Sequence, residues 1–484
     1  MQAERYIAAA DLGSSKIALS VAKVEGDDIQ IIYYKETPSE GIRNSCVFNP
    51  MLAAAPLRAA IQAAEEELNI KILQTVVGLP RYGVRQETAS AHMERSDPAS
   101  CITREEVNAL KSMAIDSYPI ADETKEEIYG AVAQSFSADD ELICVSENDV
   151  VGVTADGLEG NFKVFVGAQR PIRNIDILLN AAKIAPARKL FLPNAVAQAV
   201  LTDGERENGV ALVEIGAGVT SVTIYRGKIL RHYSSIPFGG RVVTTDIKYE
   251  CSFPESLSEN IKLAFGACLP DKLQSLSEKI IQINDNENGS YEQLPVKYLS
   301  QIITCRMREI IDAVLFQIQE SDYADKLRNG IVLTGGGANM VNLANMIKEM
   351  SGYNVRIGYP RSQLFSAVGC SGVGETSAAA TIGMILEAKK DHRLNCIEDV
   401  AVAQDGTAPA QQTGVPAAEH ETPAEGGHLF EQDESYQSDV IIPDKKKKDR
   451  PHKQSGIITW FNKINKAAGD AFDTAVGDLF DDMK

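Results

Sequence analysis

Two similar stretches, IAAADLGSSKIALSV at residues 7–21 and VALVEIGAGVTSVTI at residues 210–224, decide the fold of this chain. Each runs from an apolar strand through an acidic residue and a glycine-containing turn into a second apolar strand, which is the pattern of a β-hairpin. One hairpin alone would be a weak signal. Two copies about 200 residues apart suggest that each opens its own domain, so the repeat predicts two related domains that face one another.

The composition excludes some classes of function. With 484 residues, of which 44% are hydrophobic, the chain can form two or more domains with a large core. Its net charge of −19 argues against nucleic acid as a partner, because phosphate-backbone binding needs a basic surface. The first residues lack the basic region and apolar stretch of a signal peptide, and no window reaches the roughly 18 apolar residues of a membrane-spanning helix. We therefore expect a cytoplasmic protein whose membrane contact is peripheral.

Apolar runs between Tyr6 and about Ala388 alternate between the period of a strand and that of a helix. This alternation favours an α/β architecture. The pattern predicts strands over residues 29–34 and 74–78, and helices over residues 50–68 and 340–350.

The turn of the first hairpin has the groups of a phosphate-binding loop. Gly13 has no Cβ, so a ligand can approach the backbone, and the N–H groups and hydroxyls of Ser14 and Ser15 can surround phosphate oxygens. Lys16 adds positive charge, and Asp11 is placed to hold a hydrated Mg²⁺. For this segment alone, a plain hairpin with an acidic turn explains the sequence equally well.

The turn of the second hairpin offers the same chemistry from the other domain. Glu214 is the second candidate for holding Mg²⁺ through water, and the backbone of Gly216, Ala217, Gly218 and Val219 is the second candidate for binding phosphate. Together the two turns can hold the phosphate tail of a nucleotide from both sides.

A third segment, IVLTGGGA at residues 331–338, is a buried strand that ends in three glycines. Gly335, Gly336 and Gly337 would let a base or ribose lie against the backbone. A tight strand-to-helix turn is the alternative interpretation. The chain has no G-x-x-x-x-G-K-[ST] motif, so it is not a P-loop protein.

These three segments, in this order and spacing, resemble the actin, Hsp70 and sugar-kinase superfamily, and within it the FtsA family of bacterial cell-division proteins. RHYSSIPFGGRVVTTDI at residues 231–247 resembles the family segment after the second phosphate loop. NVRIGYP at residues 354–360 resembles the segment that follows the third loop, and GLP at residues 78–80 resembles the exit from the first subdomain. The resemblance covers about residues 5–388 and the C-terminal helix.

The resemblance implies an α/β, actin-like two-domain ATPase fold with an inserted small subdomain, a disordered linker and a C-terminal amphipathic helix. The implied parts are a first large subdomain (1–81 and 163–203), the inserted small subdomain (82–162), a second large subdomain (204–248 and 306–395), a second small subdomain (249–305), the linker (396–454) and the amphipathic helix (455–484).

The resemblance also implies roles for individual residues. Glu259 and Lys262 match the pair that contacts base and ribose, although a surface ion pair explains them equally well. Arg306 and Glu309 match a pair that faces the partner protein FtsZ, with a solvated helix face as the alternative. Leu192 falls where an Hsp70 chaperone has a glutamate, which implies ATP binding with slow or absent hydrolysis.

The C-terminal region has a different composition. No Lys or Arg occurs between residues 394 and 444, which predicts the disordered linker. Four lysines at 445–448 then precede a helical pattern whose apolar stripe is typical of a helix lying on an anionic membrane. The stripe includes Ile457, Trp460, Phe461, Ile464 and Phe472. Docking on a protein is the alternative, and the aspartates in the second half of the helix favour it.

We therefore predict an ATP-binding, Mg²⁺-using division protein at the cytoplasmic face of the plasma membrane. The resemblance implies that it anchors the FtsZ ring at the division site, binds the FtsZ C-terminal tail and other division proteins, and self-associates into filaments. A small-molecule kinase or a pilus-assembly protein of the same superfamily is the alternative. The chain has no distinctive motif for a kinase base, and neither alternative readily explains the anchor helix.

Overall fold

The computed structural model of this protein describes residues 4–139, 142–144, 146–285, 290–367 and 369–398. Nearly all of the predicted linker and the whole amphipathic helix, with Ile457, Trp460, Phe461, Ile464 and Phe472, lie outside the described residues. The strands are β1 (Arg5–Leu12), β2 (Lys16–Glu25), β3 (Asp28–Pro38), β4 (Ile42–Arg43), β5 (Cys46–Val47), β6 (Gln74–Gly78), β7 (Arg85–Glu94), β8 (Glu126–Ala138), β9 (Leu142–Cys144), β10 (Gly157–Ala168), β11 (Ala185–Leu190), β12 (Val210–Ile215), β13 (Thr220–Arg226), β14 (Ile229–Ile236), β15 (Ile280–Asp285), β16 (Ser290–Pro295), β17 (Ile331–Thr334), β18 (Val355–Ile357) and β19 (Ser366–Ala367).

The α-helices are α1 (Pro50–Leu68), α2 (Arg104–Ser117), α3 (Glu147–Val150), α4 (Gln169–Ala182), α5 (Leu192–Val200), α6 (Asp203–Asn208), α7 (Gly240–Cys251), α8 (Glu255–Phe265), α9 (Val296–Gln319), α10 (Leu343–Ser351) and α11 (Ala379–Ala388). In the part of the chain that the structure describes, no helix is both long enough and apolar enough to cross a bilayer.

The first copy of the sequence repeat forms the hairpin β1–β2, in which Leu12 pairs with Ile17. Strand β1 also pairs in parallel with β6, and β6 pairs in parallel with β11. The resulting six-stranded sheet has the order β11-β6-β1-β2-β3-β19. Helix α1 packs against β2 and β3, whereas α11 packs against β1, β2 and β6.

The second copy of the repeat forms the hairpin β12–β13, in which Ile215 pairs with Thr220. Strand β12 pairs in parallel with β17, and the five-stranded sheet has the order β14-β13-β12-β17-β18. Its core is shared with α7, α9 and α10. Both sheets therefore contain the same unit, a hairpin whose first strand is extended by a parallel neighbour, as the repeat predicts.

Between these sheets in sequence lies an inserted antiparallel sheet with the order β7-β10-β8-β9, which α2 covers. Its last strand, β10, continues to Ala168, so the sheet extends six residues past the predicted boundary at 162. A small two-stranded sheet, β15–β16, lies in the segment predicted to form the second small subdomain.

The end of the described chain packs with the first sheet. Helix α11, together with Leu394, Cys396 and Ile397, is buried in the core that contains β1 and β6. The backbone of Cys396 donates a hydrogen bond to the carbonyl of Tyr6 at 2.7 Å. By packing, residues 379–397 therefore belong to the first core, which differs from the predicted extent of 306–395 for the second large subdomain. The other subdomain bounds remain a prediction.

Local capping explains where the elements begin. Helix α1 has the predicted bounds because the Asn49 side chain accepts a hydrogen bond from the Leu52 N–H, Pro50 fits the first turn, and Asn69 ends the helix in the left-handed region. The helix predicted from residue 340 begins instead at Leu343, because residues 336–339 first form a 3₁₀ turn.

The predicted strands are both present. Strand β3 is longer than the predicted 29–34, and β6 has the predicted bounds.

A buried histidine at the junction of β14 and β7 makes stability depend on pH. The Gln86 amide lies 2.9 Å from Nδ1 of His232, and burial, helped by Lys163, lowers the pKa of His232 to about 4. Because the unfolded pKa is near 6.5, the stability from neutral His232 is complete above pH 6.5 and is lost as the pH falls toward 4. Between pH 6.5 and 4, the free energy of unfolding of the wild type should fall by on the order of 3 kcal/mol more than that of His232→Gln. The measurement is urea unfolding of both proteins over this pH range. Parallel pH profiles for the two proteins would contradict this prediction.

Candidate functional site

A cavity of about 420 Å³ lies where the turns of the two hairpins, the three-glycine turn and α8 meet. All the residues predicted to bind a nucleotide or its metal line this cavity. They are Asp11, Gly13, Ser14, Ser15, Lys16, Glu214, Gly216, Ala217, Gly218, Val219, Glu259, Lys262, Gly335, Gly336 and Gly337. Segments more than 300 residues apart in sequence thus converge on one cleft.

The first turn is held in shape by hydrogen bonds from outside the hairpin. Ser39 Oγ donates to the Gly13 carbonyl at 2.8 Å, and an Arg241 Nη donates to the Ser14 carbonyl at 2.6 Å. A Cβ on Gly13 would lie 2.5 Å from the Lys16 carbonyl oxygen, so this tight turn requires glycine. The turn is therefore preorganised before any ligand arrives.

The second turn packs directly against the start of α7. The N–H groups of Gly240 and Arg241 donate to the carbonyls of Gly216 and Ala217 at 2.9 and 2.8 Å. A Cβ on Gly218 would lie 2.9 Å from Ser14 Oγ, which shows how closely the two turns approach across the cleft. Small residues in the second turn thus allow the backbones of both halves to face the same ligand.

The third turn depends on glycine at two positions. Gly335 has φ 82° and ψ 164°, a conformation that is essentially restricted to glycine, and its Cβ would lie 2.6 Å from the Ile215 carbonyl oxygen. A Cβ on Gly337 would lie 2.5 Å from Ile215 Cγ2. Gly336, between them, faces open space. The turn thus lies against the end of β12 and leaves Gly336 beside the cavity.

A buried lysine forms part of the cavity wall beside the start of α7. Lys262 Nζ lies 2.7 Å from Glu259 Oε2, 2.8 Å from Thr244 Oγ1 and 2.9 Å from the Gly240 carbonyl oxygen. The Lys262 side chain is 9% exposed, and its burial lowers its pKa although Glu259 opposes that shift. This arrangement is not the solvent-exposed ion pair considered as the alternative, because the ammonium links α8 to the start of α7.

Sequence reasoning missed Arg81, a second buried cation of the cleft. One Arg81 Nη lies 3.2 Å from Asp11 Oδ1 and 3.1 Å from Glu214 Oε1, so the guanidinium bridges the acidic residues of the two hairpins. Burial raises the pKa of Glu214, and the positive charge of Arg81 opposes that shift. Arg81 lies three residues past the buried strand β6, but only the pairing of β6 with β1, which the sequence does not reveal, brings it to Asp11.

Sequence reasoning also missed Glu36, which lies on the cavity wall. Glu36 pairs with Lys16 and accepts hydrogen bonds from Tyr34 and Ser377 at 2.6 and 2.9 Å. Burial opposes ionisation of Glu36, yet these bonds lower the pKa of its carboxyl. Lys16 is therefore partly neutralised by Glu36 at the edge of the cleft.

Other predicted residues lie away from the cavity. Arg306, on α9, donates hydrogen bonds from Nε and one Nη to the two carboxylate oxygens of Asp246 on α7, at 2.6 and 3.0 Å. It also pairs with Glu309, whose side chain is 66% exposed. Leu192 is fully buried, and a Cβ on Gly78 would collide with its side chain. Leu192 thus fills the core beneath the cleft and does not line the cavity.

The carboxylates of Asp11 and Glu214 are the hard oxygen ligands that Mg²⁺ prefers. Both of them already face the Arg81 guanidinium. These residues therefore suit a metal held through water beside Arg81, and they do not suit a metal placed directly between them.

The family model and the relatives to which this chain is similar carry the same description. The family model described as Cell division protein FtsA matches residues 211–383. The chain is similar to the Cell division protein FtsA of Neisseria meningitidis serogroup B, with 28% identity over 363 residues that cover 74% of this chain and 85% of that protein. It is similar to the protein of the same name from Borreliella burgdorferi, with 28% identity over 81% of this chain and 92% of that protein.

Among solved structures, the chain is similar to one from the PilM-PilN type IV pilus biogenesis complex, with a TM-score of 0.51 and 15% identity. That similarity covers 80% of this chain and 98% of the other. At this identity the likeness shows the fold alone. The predicted actin-like α/β fold is confirmed for the part of the chain that the structure describes.

Proposed function

Because the chain belongs to the FtsA family of actin-like cell-division proteins, we propose that it binds ATP in this cleft and anchors the FtsZ ring to the cytoplasmic face of the plasma membrane. The observation that carries the proposal is the cavity itself, where both hairpin turns, the three-glycine turn and Lys262 meet.

Different turns would bind different parts of the proposed nucleotide. The backbone N–H groups of the two hairpin turns would hold the phosphates, with Ser14, Ser15 and Lys16 adding hydroxyls and charge. Glu259, Lys262 and the three-glycine turn would hold ribose and base. Mg²⁺ belongs to this proposal as the ion that accompanies the phosphates, with Asp11 and Glu214 as its nearest carboxylates.

Slow hydrolysis is part of the proposal. A nucleotide hydrolase needs a polar side chain that orients the attacking water near the γ-phosphate. Leu192, where chaperone-like relatives are expected to carry that group, is apolar and packed in the core. We therefore propose that the bound nucleotide sets the state of the protein, with little turnover.

The partner-facing surface is proposed to lie on α9. Since Arg306 is held by Asp246, the exposed Glu309 is the more accessible member of the predicted pair. We propose that the FtsZ C-terminal tail contacts this surface, that other division proteins bind elsewhere on the chain, and that copies of the chain associate into filaments, as actin-like folds do.

The proposed membrane anchoring rests on the sequence of residues 445–484. Four lysines followed by an apolar stripe that contains the only tryptophan of the chain suit insertion into the interface of an anionic membrane. Such an anchor would place the protein peripherally at the division site.

Trp460→Glu is expected to release the protein from membranes, because it puts a charge into the apolar stripe. The measurement is sedimentation with phosphatidylglycerol-containing vesicles, comparing the full chain with Trp460→Glu and with a truncation ending at Gln454. We expect the full chain to pellet, the truncation to stay in the supernatant, and Trp460→Glu to lose binding by about tenfold or more. Tyr249→Glu, which puts the same charge at a 75% exposed site on α7, is the control and should pellet normally. If the truncation pellets as well as the full chain, the anchor is not this helix.

A further inference from the structure

We infer that Arg81 is the resident cation of the cleft, which joins the two hairpins through their carboxylates and makes nucleotide binding less dependent on Mg²⁺. This inference rests on the proposed ATP binding and names the group that neutralises charge in the same site. It assigns to one side chain a role that phosphate-binding clefts commonly give to a metal ion.

The position of Arg81 is fixed from several directions. Its carbonyl accepts a hydrogen bond from the Tyr233 hydroxyl, and its N–H lies 3.3 Å from Ser45 Oγ. The side chain is only 10% exposed, and its Nη bridges Asp11 and Glu214. The guanidinium is therefore part of the cleft wall and not a surface group that happens to reach inward.

One donor of this guanidinium has no partner among the described residues. Arg81 Nε is buried and has no hydrogen-bond partner in the part of the chain that the structure describes, although Arg81 lines the cavity. A buried N–H group without a partner is costly, so such groups usually serve a ligand or a water molecule. Because guanidinium groups match phosphate oxygens well and Arg81 lines the cavity, the chemical class of ligand that this residue fits is a polyphosphate.

The charges around Arg81 explain why a cation must be there. Asp11 comes from one hairpin and Glu214 from the other, so without Arg81 two largely buried carboxylates would face each other with no cation between them. An arginine guanidinium is charged at any ordinary pH, so Arg81 supplies the positive charge that faces both carboxylates. Removing a partner from such a buried cluster leaves uncompensated charge and destabilises the fold.

The same charges predict a hidden metal site. Once Arg81 is replaced by a neutral residue, Asp11 and Glu214 become two free carboxylates from opposite hairpins, which are ligands that Mg²⁺ accepts. A metal bound there would restore the lost stability by mass action. Wild-type protein should gain nothing, since its guanidinium already occupies the two carboxylates.

The first test uses Mg²⁺ alone, without nucleotide. The melting temperature of the full chain is measured with and without millimolar MgCl₂, at constant ionic strength, for the wild type, Arg81→Ala and Arg81→Ala/Asp11→Asn. We expect no shift for the wild type, a lowered melting temperature for Arg81→Ala that Mg²⁺ raises, and no response of the double variant. Arg85→Ala, which removes a more exposed arginine four residues later, is the control and should not respond. An Arg81→Ala protein that ignores Mg²⁺, or a wild type that responds equally, would overturn the inference.

The second test measures ATP affinity by calorimetry in Mg²⁺ and in EDTA. Wild-type affinity should change by less than about tenfold, whereas Arg81→Ala should lose more than about tenfold on metal removal. If Arg81→Ala does not fold, Arg81→Gln keeps the size of the side chain without its charge and carries the same expectation. If the wild type no longer binds ATP in EDTA, the role inferred for Arg81 is wrong, whereas the proposed ATP binding is still supported. If the wild type binds ATP in neither buffer, the proposed function is wrong. The Mg²⁺ melting test then shows independently whether Arg81 takes the place of a metal ion between the two carboxylates.

Discussion

Gly335→Ala is expected to destabilise the fold and abolish ATP binding, whereas Gly336→Ala, one residue later, should leave the fold intact. Gly335 has a backbone conformation that other residues rarely adopt, and a Cβ there would lie 2.6 Å from the backbone oxygen of Ile215. Strain of this kind costs about 1–3 kcal/mol, and the clash adds a similar amount. The third turn would therefore have to move away from β12.

The pair of variants separates folding from ligand binding. A Cβ on Gly336 would meet no atom within 4 Å, so its stability in urea should match that of the wild type. Because Gly336 lines the cavity, the added methyl group enters the space proposed for the nucleotide and should weaken ATP binding without unfolding the protein. Equal stability of Gly335→Ala and Gly336→Ala would contradict this account of the turn.

Phe165→Ala is expected to cost about 3–5 kcal/mol of unfolding free energy, the usual price of removing a fully buried aromatic ring. The Phe165 ring stacks on Phe191 with centroids 4.5 Å apart, and Tyr233 packs edge-on against both rings. The cluster thus joins β10, the start of α5 and β14. Its removal leaves a cavity where the inserted sheet meets the two large sheets.

The same substitution should also weaken the cleft. The Tyr233 hydroxyl donates to the Arg81 carbonyl, so loosening the aromatic cluster loosens the support of Arg81. We expect urea unfolding to show the loss of stability and calorimetry to show weaker ATP binding. Phe316→Ala, on the exposed side of α9, is the matched control and should change stability by no more than about 0.5 kcal/mol. If the two variants are equally stable, the cluster does not hold the junction.

Local sequence signals predicted much of the fold. The two hairpins follow from acid–glycine turns between apolar strands, and the pattern of apolar residues predicts α1 over residues 50–68, the bounds that the structure has. The start of α10 was placed three residues early, because the pattern of apolar residues does not reveal the 3₁₀ turn before it. The packing of α11 on the first sheet was also missed, since its sequence is apolar on all sides and gives no preference for either core.

Long-range pairing explains what sequence reasoning missed in the site. The turns were recognisable because glycine, small residues and acids occur together within a few positions. Arg81 and Glu36 carry no such signature. Arg81 reaches Asp11 only because β6 pairs in parallel with β1, and it reaches Glu214 only because the second sheet faces the first across the cleft. Such juxtapositions depend on topology and are invisible in a single sequence.

The most direct test of the central claim is an isothermal titration of the full-length protein with ATP in the presence of Mg²⁺. The account predicts saturable binding at one site per chain, weakened in Gly336→Ala while the melting temperature of that variant stays unchanged. If no saturable binding occurs, or if ATP binds Gly336→Ala and the wild type with equal affinity, the cleft between the two hairpins is not the nucleotide site proposed for it.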